Sequence, residues 1–106
     1  MSFLAVVVTV PHKDSKRLAK LVVATRLAAC ANIIKGVRSI FWWQGKIDQA
    51  AEDIILIKTK TALFNPLKSL IKKNHPYQVP EVIAFKIDQG DPAYLRWIRQ
   101  SCKRAC

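Results

Sequence analysis

An α+β fold, an antiparallel sheet with helices packed on it, is predicted for this chain by three observations. Runs with the two-residue period of strands and the 3.6-residue period of helices follow one another as strand, helix, strand, strand, helix, strand. A Gly-bearing turn joins the two central strands into a long hairpin, and no linker or internal repeat of any length interrupts the order. This is the split βαβ or ferredoxin-like (βαββαβ) arrangement, here with an extra C-terminal helix, in a single domain over 1–106.

The elements follow in order. Phe3 to Val10 is apolar and β-branched on both alternating faces and stops at Pro11, which has no N–H for a ladder, so a buried strand is expected. From Asp14 or Ser15, each a good N-cap, Leu18, Leu21, Val22, Thr25, Ala28 and Ala29 recur at helical spacing, with Lys13, Lys16, Arg17 and Lys20 on another side. Cys30 to Trp43 returns to strand character with one break at Lys35-Gly36, and Gln44-Gly45-Lys46 turns the hairpin into a second arm, Asp48 to Thr59. A helix opens near Thr61, accommodates Pro66 in its early turns and ends before Pro76, which disfavours helical geometry at His75. Val79 to Ile87 is predicted as the last strand. Gly90-Asp91-Pro92 then starts a helix with an Asp cap and Pro in the first position, its apolar side formed by Tyr94, Leu95, Trp97 and Ile98.

At 106 residues, 51% of them apolar and 24% charged, the chain is neither disordered nor long enough for two domains. A fold of this mass exposes about 6,000 Å², roughly a third of the area of its extended chain. Eighteen basic against seven acidic residues give +11, a field that attracts phosphates, anionic surfaces and acidic partners. The three cysteines, Cys30, Cys102 and Cys106, are no disulfide framework, and the one N-terminal apolar run is too short for a membrane span, so a cytoplasmic, reducing location without membrane insertion is expected.

Helices on one sheet face leave the other open, yet several strands are apolar on both faces. Phe41, Trp42 and Trp43 in succession place large aromatics on both sides of the hairpin, an adhesive patch on a lone chain. An oligomer that buries the second face is therefore expected, with these three residues in the interface.

Specific strings add a resemblance. Arg26-Leu27-Ala28-Ala29-Cys30-Ala31-Asn32, Gly36-Val37-Arg38-Ser39, Trp42-Trp43-Gln44-Gly45-Lys46, Ile57-Lys58-Thr59, His75-Pro76-Tyr77-Gln78-Val79-Pro80-Glu81 and Gly90-Asp91-Pro92-Ala93-Tyr94-Leu95-Arg96-Trp97, in that order, resemble the CutA family of divalent-cation tolerance proteins. The resemblance runs from about Ala5 to Gln100. It implies a ferredoxin-like homotrimer with its sheets packed inward, related in shape to PII signalling proteins, and a link to copper tolerance and copper (Cu²⁺) binding. The chain departs from the family pattern where that pattern is acidic, having Lys16, Arg17, Gln44, Gln49 and Ala50. Val8 and Asn74 stand where some copper-binding members carry a Cys and a second His, so a copper site copied from them is incomplete here.

Cys30 and His75 are the soft ligands inside the matched strings and the candidate metal ligands, although two ligands close no site. Symmetry copies in a trimer change that count. The competing structural roles are a small buried apolar residue for Cys30 and termination of the second helix by the His75 ring. Trp43, Lys58, Tyr77, Glu81 and Trp97 form a candidate small-molecule cleft, a cation, a carboxylate, a phenol and two indoles, with both indoles equally placed to serve as intersubunit core. Cys102 and Cys106 offer a tail thiol pair or a frayed terminus, and His12 is assigned to solvent.

No Ser-His-Asp set, carboxylate pair or phosphate-binding glycine loop argues for catalysis, and a non-enzyme is expected. A small-molecule-sensing or scaffolding trimer without a metal role is the alternative. RNA-binding modules share the strand order but stack bases on aromatics in the first and third strands, where this chain has Val6, Val7, Val8 and Ile54 to Ile57. Only non-specific binding of polyanions is therefore expected of its positive charge.

Overall fold

The computed structural model describes residues 1–104. Strand β1 is Phe3–Val10, helix α1 His12–Ala24, strand β2 Cys30–Trp43 and strand β3 Lys46–Lys60. A 3-10 turn, Thr61–Leu63, leads into helix α2, Phe64–Asn74; strand β4 is Val82–Lys86 and helix α3 is Pro92–Ser101. The sheet order is β2-β3-β1-β4 with every pair antiparallel, the ferredoxin-like α+β fold that the periodicities predict.

Alternation decides what the sheet buries. Val6, Val8 and Val10 of β1 and Ile55, Ile57 and Thr59 of β3 point to the helix layer and are fully enclosed with Leu18 and Val22 of α1, Leu67 and Ile71 of α2 and Ile98 of α3. On the opposite face the register aligns Ile83, Val7, Leu56 and Asn32 in one row and Phe85, Ala5, Lys58 and Cys30 in the next. Among the described residues α3 reaches that face only beside Cys30, through Tyr94, and Ile83 and Phe85 are exposed on it.

Between Ile34 and Val37 the β2–β3 register shifts, so Lys35 and Gly36 together face the single residue Asp53. Such a bulge costs one residue of phase and turns every later side chain over. Gly36, at φ 78°, supplies the left-handed residue that the bulge needs. Beyond it Val37–Trp43 and Lys46–Glu52 pair only with each other, a two-stranded ribbon. Phe41 and Trp43 lie on the side of Glu52, and Ile40, Trp42 and Ile47 on the other. The ribbon stretches the molecule to 44 × 26 × 22 Å, with a radius of gyration of 14.2 Å against roughly 13 Å for a chain of this length folded into a ball. The exposed area, 6939 Å², likewise exceeds the expected figure.

Helix α1 and strand β4 start away from their expected positions. Helix α1 begins at His12 behind Pro11, with no side-chain cap. Both expected caps are engaged elsewhere: Ser15 donates to Asp53 and to the His12 carbonyl, and Asp14 accepts from Arg17. Helix α2 stops at Asn74 as expected, because His75 is extended (φ −97°, ψ 138°) ahead of Pro76. Strand β4 begins at Val82 rather than Val79, since Pro80 cannot donate to a ladder and restricts Val79, leaving Pro76 to Glu81 as a loop beside the ribbon. Asp91 caps α3 as predicted, its carboxylate accepting the Tyr94 N–H at 3.1 Å.

Candidate functional site

The ribbon, the end of β1 and the loop after α2 flank an open cleft of about 930 Å³. Aromatics line much of it, Phe41, Trp42, Trp43 and Tyr77, together with the carboxylates Asp48, Glu52 and Glu81. Glu52 is only 4% exposed and accepts the Tyr77 hydroxyl at 2.8 Å. Burial, followed by this carboxylate, pushes the Tyr77 phenol up to about 12, so it is a neutral donor throughout the physiological range. Glu81 accepts from the Thr9 hydroxyl at 3.4 Å.

His75 stands behind this wall, 8% exposed. Its Nδ1 accepts the Tyr77 backbone N–H at 3.1 Å, which puts the proton on Nε2, and Nε2 donates to the Thr9 carbonyl at 2.8 Å. The ring thus ties the loop to β1 and does not cap α2. The end of that helix is held instead by Asn74 Nδ2 on the Leu70 carbonyl and by Arg17 on the Asn74 carbonyl. With both nitrogens engaged, His75 has no lone pair free for a metal.

Cys30 lies elsewhere. It opens β2 on the uncovered face, in the row of Lys58 and Ala5, whereas the Thr9 that holds His75 is level with Ile54. Four residues of strand, about 13 Å, separate the two rows. The Cys30 thiol is half-buried and donates to Asn32 Oδ1 at 3.5 Å, and Lys58 Nζ donates to the same oxygen. Burial, with Cys30 beside it, raises the Tyr94 phenol as well. Cys30 and His75 therefore do not meet within one chain, and among the described residues no three His, Cys, Asp or Glu side chains group as a metal site.

The predicted ligand cleft divides in the same way. Trp43, Tyr77 and Glu81 line the cleft together. Lys58 belongs to the Cys30 row, and Trp97 lies on α3 against Tyr94, ring centroids 5.4 Å apart. The hairpin break, read on its own, does not show which face Trp43 takes after the bulge. Sequence reasoning missed Glu52, which follows Ala50-Ala51 as one more polar residue and is marked only by its register opposite Val37. It also missed the partner of His12, whose Nδ1 lies 2.7 Å from Asp53 Oδ2. Asp53 is 2% exposed, and its carboxyl is held below the usual range first by the Ser15 hydroxyl and then, against desolvation, by His12 and the Gly36 N–H. Cys102, expected to fray, is buried with its Sγ 3.8 Å from Thr59 Oγ1; Cys106 lies outside the described residues.

A four-stranded antiparallel sheet with a helix layer, an uncovered apolar face and a projecting ribbon defines a ferredoxin-like α+β protein. Residues 4–101 match the CutA1 divalent ion tolerance protein family, and the chain belongs to that family. Protein CutA 1, chloroplastic, of Oryza sativa subsp. japonica is 44% identical over 96% of this chain and 58% of its own length. The divalent-cation tolerance protein CutA of Thermus thermophilus is 44% identical over 91% of this chain and 94% of its own. The chain thus spans a little over half the length of the plant and mammalian relatives and nearly all of the bacterial one. The crystal structure of CutA1 from Oryza sativa superposes with a TM-score of 0.94 at 43% identity, covering 98% of this chain and 96% of that one. No helix among the described residues is long and apolar enough to cross a membrane.

Proposed function

We propose that this chain acts in divalent-cation tolerance as a homotrimer that binds copper or another divalent metal between its subunits and catalyses no reaction. The uncovered sheet face and the two-sided apolar ribbon carry this reading, since an isolated two-stranded ribbon is marginal in water and Trp42 is 72% exposed. Divalent-cation tolerance is the property in the name of the Thermus relative. Cys30 and His75 do not fit a metal within one chain, so a closed coordination shell takes ligands from more than one subunit, with the half-buried thiol of Cys30 the available soft donor. Free thiols fit a reducing, cytoplasmic setting.

Native mass measurement with and without Cu²⁺ tests both parts. A species of about 36 kDa, three times the 12.0 kDa chain, that gains copper is the expected result. A 12 kDa species at micromolar concentration overturns the assembly, and a trimer that takes up no copper overturns the metal role. The second outcome favours a small-molecule-sensing trimer, for which the cleft of Trp43, Tyr77, Glu81 and Glu52 is the observation.

A further inference from the structure

We infer that the outer face of α1 and α2 is a docking face for the phosphodiester backbone of duplex nucleic acid, bound without regard to sequence. Lys13, Lys16, Arg17 and Lys20 fall within about 100° of one another on α1, opposite its buried Ser15, Leu18, Ala19 and Val22. They span about 10 Å of helix. Lys72 and Lys73 point outward from α2, with Lys68 at the flank, its Nζ 5.7 Å from the centre of the Phe64 ring. Arg17 joins the two helices by donating to the Asn74 carbonyl at 3.1 Å, so these cations share one surface.

The acids are segregated from it. On the two helices only Asp14 is negative, and it is bonded to Arg17 at 3.1 Å. Asp53, beneath the start of α1, is buried against Ser15 and His12. Asp48, Glu52 and Glu81 line the cleft, and Asp88 and Asp91 precede α3. Seven cations against one carboxylate, itself paired with Arg17, give this face +6 of the net +11.

The chemistry of the face selects the partner. An amphipathic surface that enters a membrane interface needs Trp, Phe or Leu beside its basic residues. Here Leu18, Val22, Leu67 and Ile71 are sealed in the core, Leu21, Phe64 and Leu70 are half-buried against it, and Val23 is the one exposed large apolar residue of the two helices. Recognition of bases needs side chains aimed at base edges or free aromatic platforms, and this face has neither. What remains is an array of ammonium groups and one guanidinium that displaces counterions from phosphates, the sequence-independent mode of binding. The face is built from α1 and α2, on the side of the sheet away from the exposed Ile83 and Phe85, and includes neither Cys30 nor His75, so it is independent of the metal reading.

Fluorescence anisotropy of a labelled random-sequence DNA duplex, titrated with the whole protein across a salt series, tests the inference. Binding at low salt is expected to weaken steeply as salt rises. The double variant Lys16→Gln, Lys20→Gln should flatten the log–log salt slope by roughly 2, at about 0.9 for each phosphate that is no longer neutralised, with an unchanged thermal melt. A second double variant, Arg99→Gln, Lys103→Gln, removes the same net charge from the α3 end and should leave the slope nearly unaltered. Equal losses in the two variants would show that net charge and not this face governs binding, and would overturn the inference. So would the absence of duplex binding at low salt, or binding to phosphatidylserine vesicles where the duplex is not bound.

Discussion

The two ends of strand β3 carry similar apolar side chains into opposite circumstances. From Asp53 to Lys60 the strand is flanked by β1 and β2 and roofed by helices, and Ile55 and Ile57 are sealed. From Lys46 to Glu52 it has β2 alone, and Ile47 is 63% exposed, across from Trp42. Density of apolar residues therefore does not say where a core is; the number of neighbouring layers does. The body completes its core within the chain, whereas the ribbon carries core-like side chains and leaves their cover to another molecule.

The sealed end is where a single change should cost most. Ile57→Ala removes a fully buried branched side chain between β1, β2 and the helix layer, and should destabilise by about 2 to 5 kcal/mol, read by urea unfolding. A loss under 1 kcal/mol would mean that this core is looser than the structure describes. The equivalent change in the ribbon should leave the fold of a subunit intact. Trp42→Ala should instead weaken self-association by about 2 kcal/mol or more, read by dilution in light scattering. Unchanged assembly and an unchanged melt in this variant would place the interface away from the ribbon.

The same contrast explains how far the sequence alone is legible. The body is legible because two-residue and 3.6-residue periods report local burial directly: Phe3–Val10, the break at Lys35-Gly36 and the Asp91-Pro92 start all stand where expected. The site is legible only in part. Tyr77, Glu81 and Trp43 meet because a bulge reverses the phase of β2 and because His75 ties its loop to Thr9, and both are long-range facts that no local pattern encodes. Lys58 and Trp97 share chemical type with that group, but the register sends Lys58 to the far end of the sheet and Trp97 lies on α3. His12 likewise looks unpartnered in sequence because Asp53, its partner, is 41 residues away.

Titration should divide the molecule along the same line. Asp53 belongs to the junction of body and ribbon, and its carboxyl lies below its unfolded value of about 3.9. Its contribution is therefore present above that pH and is lost as pH falls through the folded value. Tyr77 is opposite in sign. Its phenol is raised to about 12 from about 10, so its contribution is complete below pH 10 and declines as pH rises through 12. Tyr77→Phe should remove the part of the alkaline decline that falls in that window, and Asp53→Asn the acid one, in chemical unfolding at stepped pH. An alkaline slope identical in wild type and Tyr77→Phe would show that the Tyr77–Glu52 hydrogen bond does not hold the loop in solution.

The smallest effect belongs to the ribbon's tip. Gln44 and Gly45 both have positive φ, 50° and 78°, the type I′ form of a two-residue turn, whose twist matches the flanking strands. Glycine takes that conformation freely, but a side chain such as that of Gln44 meets the ~1 kcal/mol steric penalty of the left-handed region, which Asn largely escapes. Gln44→Asn should therefore stabilise by a fraction of that penalty, on the order of 0.5 kcal/mol. Because Phe41, Trp42 and Trp43 depend on the hairpin register that this turn sets, the gain should appear as tighter assembly and slower amide exchange along 37–52, with exchange in β1 unchanged. A uniform slowing across both regions would mean that ribbon and body unfold as one cooperative unit, and the contrast between the two ends of β3 would then be one of exposure alone.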